Sequence, residues 1–182
     1  MLLKLFRPTP PDDTLARLYG TIVAQARTPA FYQLYGVPDT VGGRLEMIML
    51  HMVLVLRHLE RGAASLRTLG QGLFDAFCRD LDGNGREIGV GDLAVPRTMR
   101  RIGEAFYGRQ AAYDAALDAL EDERLAAALQ RRAQSRVAFW LALYVRESVR
   151  RIAAQNQLER AQLAFPDPEQ VVLQARQTWM NR

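Results

Sequence analysis

The chain has 182 residues, 49% of them hydrophobic and 24% charged, a balance that excludes a disordered or low-complexity protein and suits one domain with a real core. The formal charge is +4, and because Lys4 is the only lysine, arginine carries the positive balance; an excess this mild permits contact with anionic lipid or RNA without demanding it. The single cysteine, Cys78, excludes an internal disulfide framework and fits a reducing compartment.

The N-terminus, "MLLKLFRPTPPDD", has no long apolar region and no small-residue cleavage site, so it does not read as a secretory signal. Pro8, Pro10 and Pro11 mark residues 1–12 as an extended leader ahead of one helical domain over 13–182. Asp12 or Asp13 can cap a first helix, with Leu15, Leu18, Ile22 and Ala26 on one face. Pro29 breaks that pattern, and "AFYQLYG" reads as a short aromatic helical turn ending at Gly36. A long helix then starts at Asp39 or Thr40 and runs through Arg61. Its middle, "MIMLHMVLVL", is apolar almost all round, which predicts a central, buried helix. At ten residues, interrupted by His51, the stretch is far short of the roughly 20 that cross a bilayer.

Ser65 is the expected cap of the next helix, with a stripe of Leu66, Leu69, Leu73, Phe74, Phe77, Cys78 and Leu81. "DLDGNGREIGVGD", Asp80–Asp92, follows and reads as a turn-rich loop. Pro96 suits the first turn of another helix, whose stripe is Val95, Met99, Ile102, Phe106, Tyr113, Leu117 and Leu120. "DERLAAALQRRAQ" continues it or forms a further helix. Val137, Leu141, Tyr144, Val145, Ser148 and Ile152 mark one more, and Pro166 and Pro168 precede a last amphipathic piece with Val172, Ala175 and Trp179. Alternating strand patterns are absent, so the expected class is all-α, an irregular bundle of about six or seven helices.

The Asp80–Asp92 stretch opens like a calcium-binding loop, with Asp80, Asp82 and Asn84 at alternate positions before Gly85. The twelfth position, which must supply a bidentate Glu, is Gly91, and Glu87 stands where a hydrophobic residue belongs. The motif is broken at its most energetic ligand, and a structural connection is the reading we carry forward. Enzyme signatures are also lacking. His51 and His58 lie seven apart with no third ligand at metal-site spacing, and no phosphate loop, dinucleotide fingerprint or nucleophile elbow occurs. We expect no catalysis and no cofactor. Cys78 sits in an apolar stripe and reads as a small core residue.

One ordered set of motifs is more specific: "DLD" at Asp80–Asp82, Arg86 with Glu87, "GVGD" at Gly89–Asp92, Val95 with Pro96, Met99, and "EAFYGR" at Glu104–Arg109 followed by Tyr113. Together with the upstream "FYQLYGVPDTVGGRLEMIMLHMVLVLRHL" it resembles the ubiquinol–cytochrome c chaperone family, assembly factors of the cytochrome bc1 complex, over about Phe31–Leu120. Ile88 and Arg97 depart mildly from the family pattern, and the C-terminal third matches only in helical character. The resemblance implies an all-α chaperone whose client is newly made cytochrome b. It also implies a cytoplasmic place, peripheral at the inner face of the cytoplasmic membrane in a bacterium or on the matrix side in a eukaryote.

On the resemblance, the client-binding candidates near the connection are Asp80, Arg86, Glu87 and Asp92. Those on the following helix are Glu104, Tyr107, Gly108, Arg109 and Tyr113. Asp92, Tyr107, Gly108 and Arg109 lie off the apolar stripe, so replacing Asp92, Tyr107 or Arg109 by Ala is expected to leave folding nearly intact. Tyr and Arg are also the residue types enriched at interaction hot spots. A second basic region, with Arg132, Arg136, Arg146 and Arg150, is the candidate contact for the ribosome or an anionic membrane. No aromatic RNA-binding signature accompanies it, which speaks against sequence-specific nucleic-acid reading. Two other classes stay open on the residues: a small-ligand or ion-binding helical module using the Asp80–Asp92 loop, and a peripheral protein binding anionic lipid through its arginines.

Overall fold

The computed structural model describes residues 12–87, 95–119, 122–130 and 135–180; the side chains of 12, 84–87, 95–99, 130, 135–137 and 178–180 lie outside the description. The proposed leader, apart from Asp12 at the start of the first helix, and the Gly89–Asp92 motif fall outside the described residues, as do Leu120 and Arg132. Among the described residues the fold is all-α. Its helices are α1 (Asp12–Ala26), α2 (Ala30–Gln33), α3 (Val41–Glu60), α4 (Ala64–Glu87), α5 (Val95–Asp118), α6 (Asp122–Gln130), α7 (Ser135–Ala153) and α8 (Pro168–Met180). A single 3-10 turn, Leu158–Arg160, lies between the last two.

Helix α3 forms where its cap and composition predict. The Thr40 hydroxyl accepts from the Gly43 backbone N–H at 3.1 Å, which satisfies one of the free donors of the first turn. Gly43 is obligatory there, because a Cβ would sit 1.9 Å from the Pro38 carbonyl oxygen. Just upstream, Gly36 turns the chain out of α2 at φ 60°, and the Val37 N–H reaches back to the Phe31 carbonyl at 3.1 Å. From Met47 to Arg57 every α3 residue is buried. A helix apolar on all sides needs neighbours on all sides, and α1, α4, α5 and α7 supply them.

The polar groups that face α3 inside this core are matched by specific partners. His51 is fully buried. Its Nδ1 lies 2.7 Å from the Met47 carbonyl, which can only accept, so Nδ1 carries the proton. Nε2 then accepts from the Tyr144 hydroxyl of α7 at 2.8 Å. Gln25 of α1 donates to the same hydroxyl at 3.0 Å and to the Pro166 carbonyl at 3.1 Å, and Tyr35 donates to the Pro168 carbonyl at 2.7 Å. Phe31 and Phe165 pack edge-on to the imidazole, with centroids 5.4 and 5.0 Å away. The chain from Phe165 to Pro168 is thereby tied to α1 through Gln25, to Tyr35 just after α2, and to α3 through His51.

The structure corrects the sequence reading at both ends of α4. Residues 80–87 are not the start of a loop; they complete α4. Residues two apart on a helix point to nearly opposite sides, so Asp80 and Asp82 cannot converge on one ion. Asp80 instead accepts from the Tyr19 hydroxyl of α1 at 2.7 Å, and burial together with that carboxylate pushes the phenol's pKa well up. The α4 start also differs: it begins at Ala64, placing Ser65 inside the helix.

Burial pushes the His51 pKa down to about 4 from its ordinary 6.5. Folding therefore binds no proton here. The stabilisation is complete above pH 6.5 and is lost as pH falls from there toward 4. Lowering pH from 7.5 to 5 should cost about 2 kcal/mol through this group alone. His51→Gln, which keeps an acceptor for Tyr144, should lose that part of the pH dependence in urea unfolding; an unchanged slope would contradict the assignment.

Candidate functional site

Helix α5 lies against both α3 and α4 and divides the candidate residues into two groups. Phe106 and Tyr113 point inward and are buried. Glu104, Tyr107, Gly108 and Ala111 are exposed, and their three- and four-residue spacing makes them one outward face. Tyr113, a client-binding candidate on the resemblance, thus sits in the core, where a partner does not reach it.

Tyr107 is 59% exposed yet not loose. Its ring rests 5.8 Å from that of Phe74 on α4, and Phe74 in turn packs 5.2 Å from Phe106. The tyrosine presents a large amphipathic surface on a backing of core aromatics, the kind of anchor enriched at interfaces. A small hollow of about 120 Å³ lies at its edge, between Leu56, Gly70, Phe74 and Gln110. Gly108 is beside it. A Cβ at Gly108 or at Gly103 would meet nothing within 4 Å, so packing among the described residues does not explain either glycine. Each weakens the helix by about 1 kcal/mol relative to Ala. Glu104 pairs with Arg100 at 3.6 Å, one turn away on the surface.

Arg109 overturns its sequence reading. It lies off the apolar stripe, but its guanidinium folds back to α3 and grips Glu46 with two hydrogen bonds, Nε to Oε2 at 2.7 Å and Nη2 to Oε1. The side chains are only 13% and 19% exposed. Arg109 is therefore a joint between helices, and Ala in its place should not leave folding intact. Sequence reasoning missed Glu46. Its signal was a carboxylate alone at the head of a long apolar run. A second joint links the same helices further along: Arg57 of α3, buried, bonds both Asp114 and Asp118 of α5, and Arg61 shares Asp118 at 3.2 Å.

The remaining candidates separate. Arg86 and Glu87 close α4, their side chains outside the described residues, and Asp92 lies wholly outside them. In the basic region, Arg146 bonds Asp122 of α6, and Arg150 pairs with Glu147 at 2.6 Å. Two of the four arginines are thus already neutralised, and the Arg136 side chain is not described. Among the described residues no three His, Cys, Asp or Glu side chains gather in a metal-binding group, and no helix is long and apolar enough to cross a membrane. Cys78 is half-buried, its thiol pKa raised by burial and by Asp75.

Deleting one partner of a mostly buried ion pair leaves the other charge uncompensated. Arg109→Ala and Glu46→Ala should each lower stability by about 2–3 kcal/mol, and the double variant by clearly less than the sum. Urea unfolding of the three variants checks this; single losses within about 0.5 kcal/mol, the usual range for surface changes, would mean the pair is ornamental.

Comparison with known proteins adds to this geometry. The model of the Ubiquinol-cytochrome C chaperone family matches residues 33–164. The Ubiquinol-cytochrome-c reductase complex assembly factor 1 of Xenopus laevis is 24% identical over 116 residues, which are 63% of this chain and 57% of that protein. The chain thus spans a little over half the length of that curated relative. The crystal structure of the Cbp3 homolog from Brucella abortus is 36% identical and matches with a TM-score of 0.79 over 87% of this chain and 91% of the other. The family match runs from the end of α2 past the 3-10 turn, takes in all of α3 to α7, and covers well over half the chain: this chain belongs to the ubiquinol–cytochrome c chaperone family.

Proposed function

We propose that this protein is a non-catalytic assembly chaperone of ubiquinol–cytochrome c reductase that holds newly made cytochrome b before its maturation. The family membership supports the assembly role. The observation that favours a docking surface on α5 is Tyr107, exposed on an aromatic backing beside a glycine with open space in front of it. Tyr107 supplies contact area at little entropic cost, and Gly108 lets a partner's backbone come close to the helix. Glu104 and Arg100 give this face a charged rim.

A non-catalytic role fits the titratable groups. Both ring nitrogens of His51 are occupied in the core, and the Cys78 thiol is pushed away from its reactive form. The proposed place is the inner face of the cytoplasmic membrane in a bacterium, or the matrix side of the inner membrane in a eukaryote. There the chain would be a peripheral protein meeting its client as it emerges.

Tyr107→Ala and Gly108→Leu test the face from opposite directions, one removing the anchor and the other filling the gap. Both should fold: Gly108→Leu enters empty space and should add roughly 0.5–1 kcal/mol of helix stability. Each should reduce cytochrome b retained by the tagged protein about 30-fold, the equivalent of a hot-spot loss near 2 kcal/mol. Phe106→Ala serves as the control for damage through folding, since burying no ring there costs about 3–5 kcal/mol. Normal cytochrome b retention by both surface variants, at wild-type melting temperature, would remove this face from the function.

A further inference from the structure

A cleft of about 260 Å³ opens between the first turns of α3 and the N-terminal half of α5. Its floor is apolar: Met49 is buried, and Leu45, Ile102 and Ala105 are half-buried. One wall is the Arg109–Glu46 pair, in which the two charges already answer each other. At the rim stands Arg101, exposed, with no carboxylate partner among the described residues. Its neighbour Arg100 is different, being paired with Glu104 on the outer face.

We infer that this cleft is an anchor site for the client polypeptide, taking one large apolar side chain on the Met49–Ile102 floor and a nearby Asp or Glu against Arg101. The inference rests on the chaperone reading above and adds to it the chemistry of the recognised segment. Size argues for a side chain: the space is below the roughly 300–1,000 Å³ of pockets that enclose a small-molecule ligand. Charge argues for the acid. The other joint between α3 and α5 sets Arg57 and Arg61 against Asp114 and Asp118, two charges of each sign. At the cleft the described charges are Arg101, Arg109 and Glu46, and Arg109 takes Glu46, so among the described residues the Arg101 guanidinium has no carboxylate at the edge of this apolar surface. A carboxylate reaching it there gains a charge-assisted hydrogen bond in a partly desolvated setting. The cleft is also on the helix that carries Tyr107, so a single extended segment crossing α5 can touch both.

The test is retention of cytochrome b by the tagged, full-length chaperone, together with binding of overlapping synthetic cytochrome b peptides. Arg101→Glu reverses the rim charge on an exposed side chain, and Ala105→Trp fills the cleft. Arg160→Glu, on the exposed side of the 3-10 turn and away from both the cleft and the Tyr107 face, is the control for net charge, and melting temperatures verify folding. Arg101→Glu and Ala105→Trp should each lower retention at least tenfold while Arg160→Glu does not. Peptides that bind should carry an acid within one helical turn of a large apolar residue. Changing that acid to Lys should weaken binding to the wild type and restore it to Arg101→Glu. If wild type retains cytochrome b and both cleft variants retain it equally, the cleft is not an anchor although the chaperone reading stands. If wild type itself retains none, that reading falls and this inference with it. Should Arg101→Glu abolish binding only to vesicles containing anionic phospholipid, Arg101 serves a membrane surface and the inference is overturned.

Discussion

A helix that is apolar on every side cannot stand at a surface, and α3 imposes that constraint on the whole molecule. Four helices wrap it because nothing less removes Met47 to Leu59 from water. Apolar contact alone sets neither the rotation nor the register of those neighbours, since one aliphatic patch packs about as well as the next. Three polar residues on α3 do. Glu46 takes Arg109 of α5, His51 takes Tyr144 of α7, and Arg57 takes Asp114 and Asp118 of α5. Each is costly to leave unpaired in the core, so mispacked arrangements are penalised more than the native one is rewarded.

The arrangement decides what α5 can offer a partner. Two ion-pair joints hold the helix to α3, and the Phe74–Phe106 contact holds it to α4. Its inner stripe, Arg109, Asp114 and Asp118 are consumed in that anchoring. The outward residues are left to a partner on a rigid support, which limits the ordering cost of binding. Gly103 and Gly108 are informative for the same reason. A glycine in a helix interior has to be offset somewhere, and none of the described residues packs close enough to either one to do so.

Most of the fold was legible in the sequence because its signals are local. Thr40 as cap, Gly36 and Gly62 as stops, Pro29 and the Pro166–Pro168 pair as breaks, and the all-round apolar run of α3 each act within one or two turns. Asp80–Glu87 was misread for a physical reason. Its Gly, Asn and Asp residues favour turns on their own, but Tyr19 holds Asp80 from α1 and Leu81 packs on the core, so tertiary contacts carry the helix past them. Arg109 was misread because a helical wheel assigns a residue to a face by its Cα. An arginine reaches well beyond its own face, and whether a carboxylate waits there depends on where α3 lies, which no spacing within α5 encodes. The exposed face itself was half legible: Tyr107 and Gly108 stood off the stripe, whereas the aromatic backing from Phe74 appears only once α4 is in place.

The distribution of charge limits how this surface can recognise anything. Arginine dominates the composition, yet many of the described arginines are committed: Arg57, Arg61 and Arg109 bind α3 to α5, Arg146 binds α7 to α6, and Arg150 answers Glu147 on its own helix. A net charge of +4 spread over such pairs gives little long-range field, and physiological salt screens what remains beyond about 8 Å. Steering over distance is therefore weak. On the proposed face, selectivity has to come from contact range, where an aromatic on a firm backing, a glycine gap and a guanidinium with no carboxylate among the described residues, beside an apolar floor, would each reward a different feature of the same segment. Such a surface discriminates by shape and local pairing rather than by overall charge.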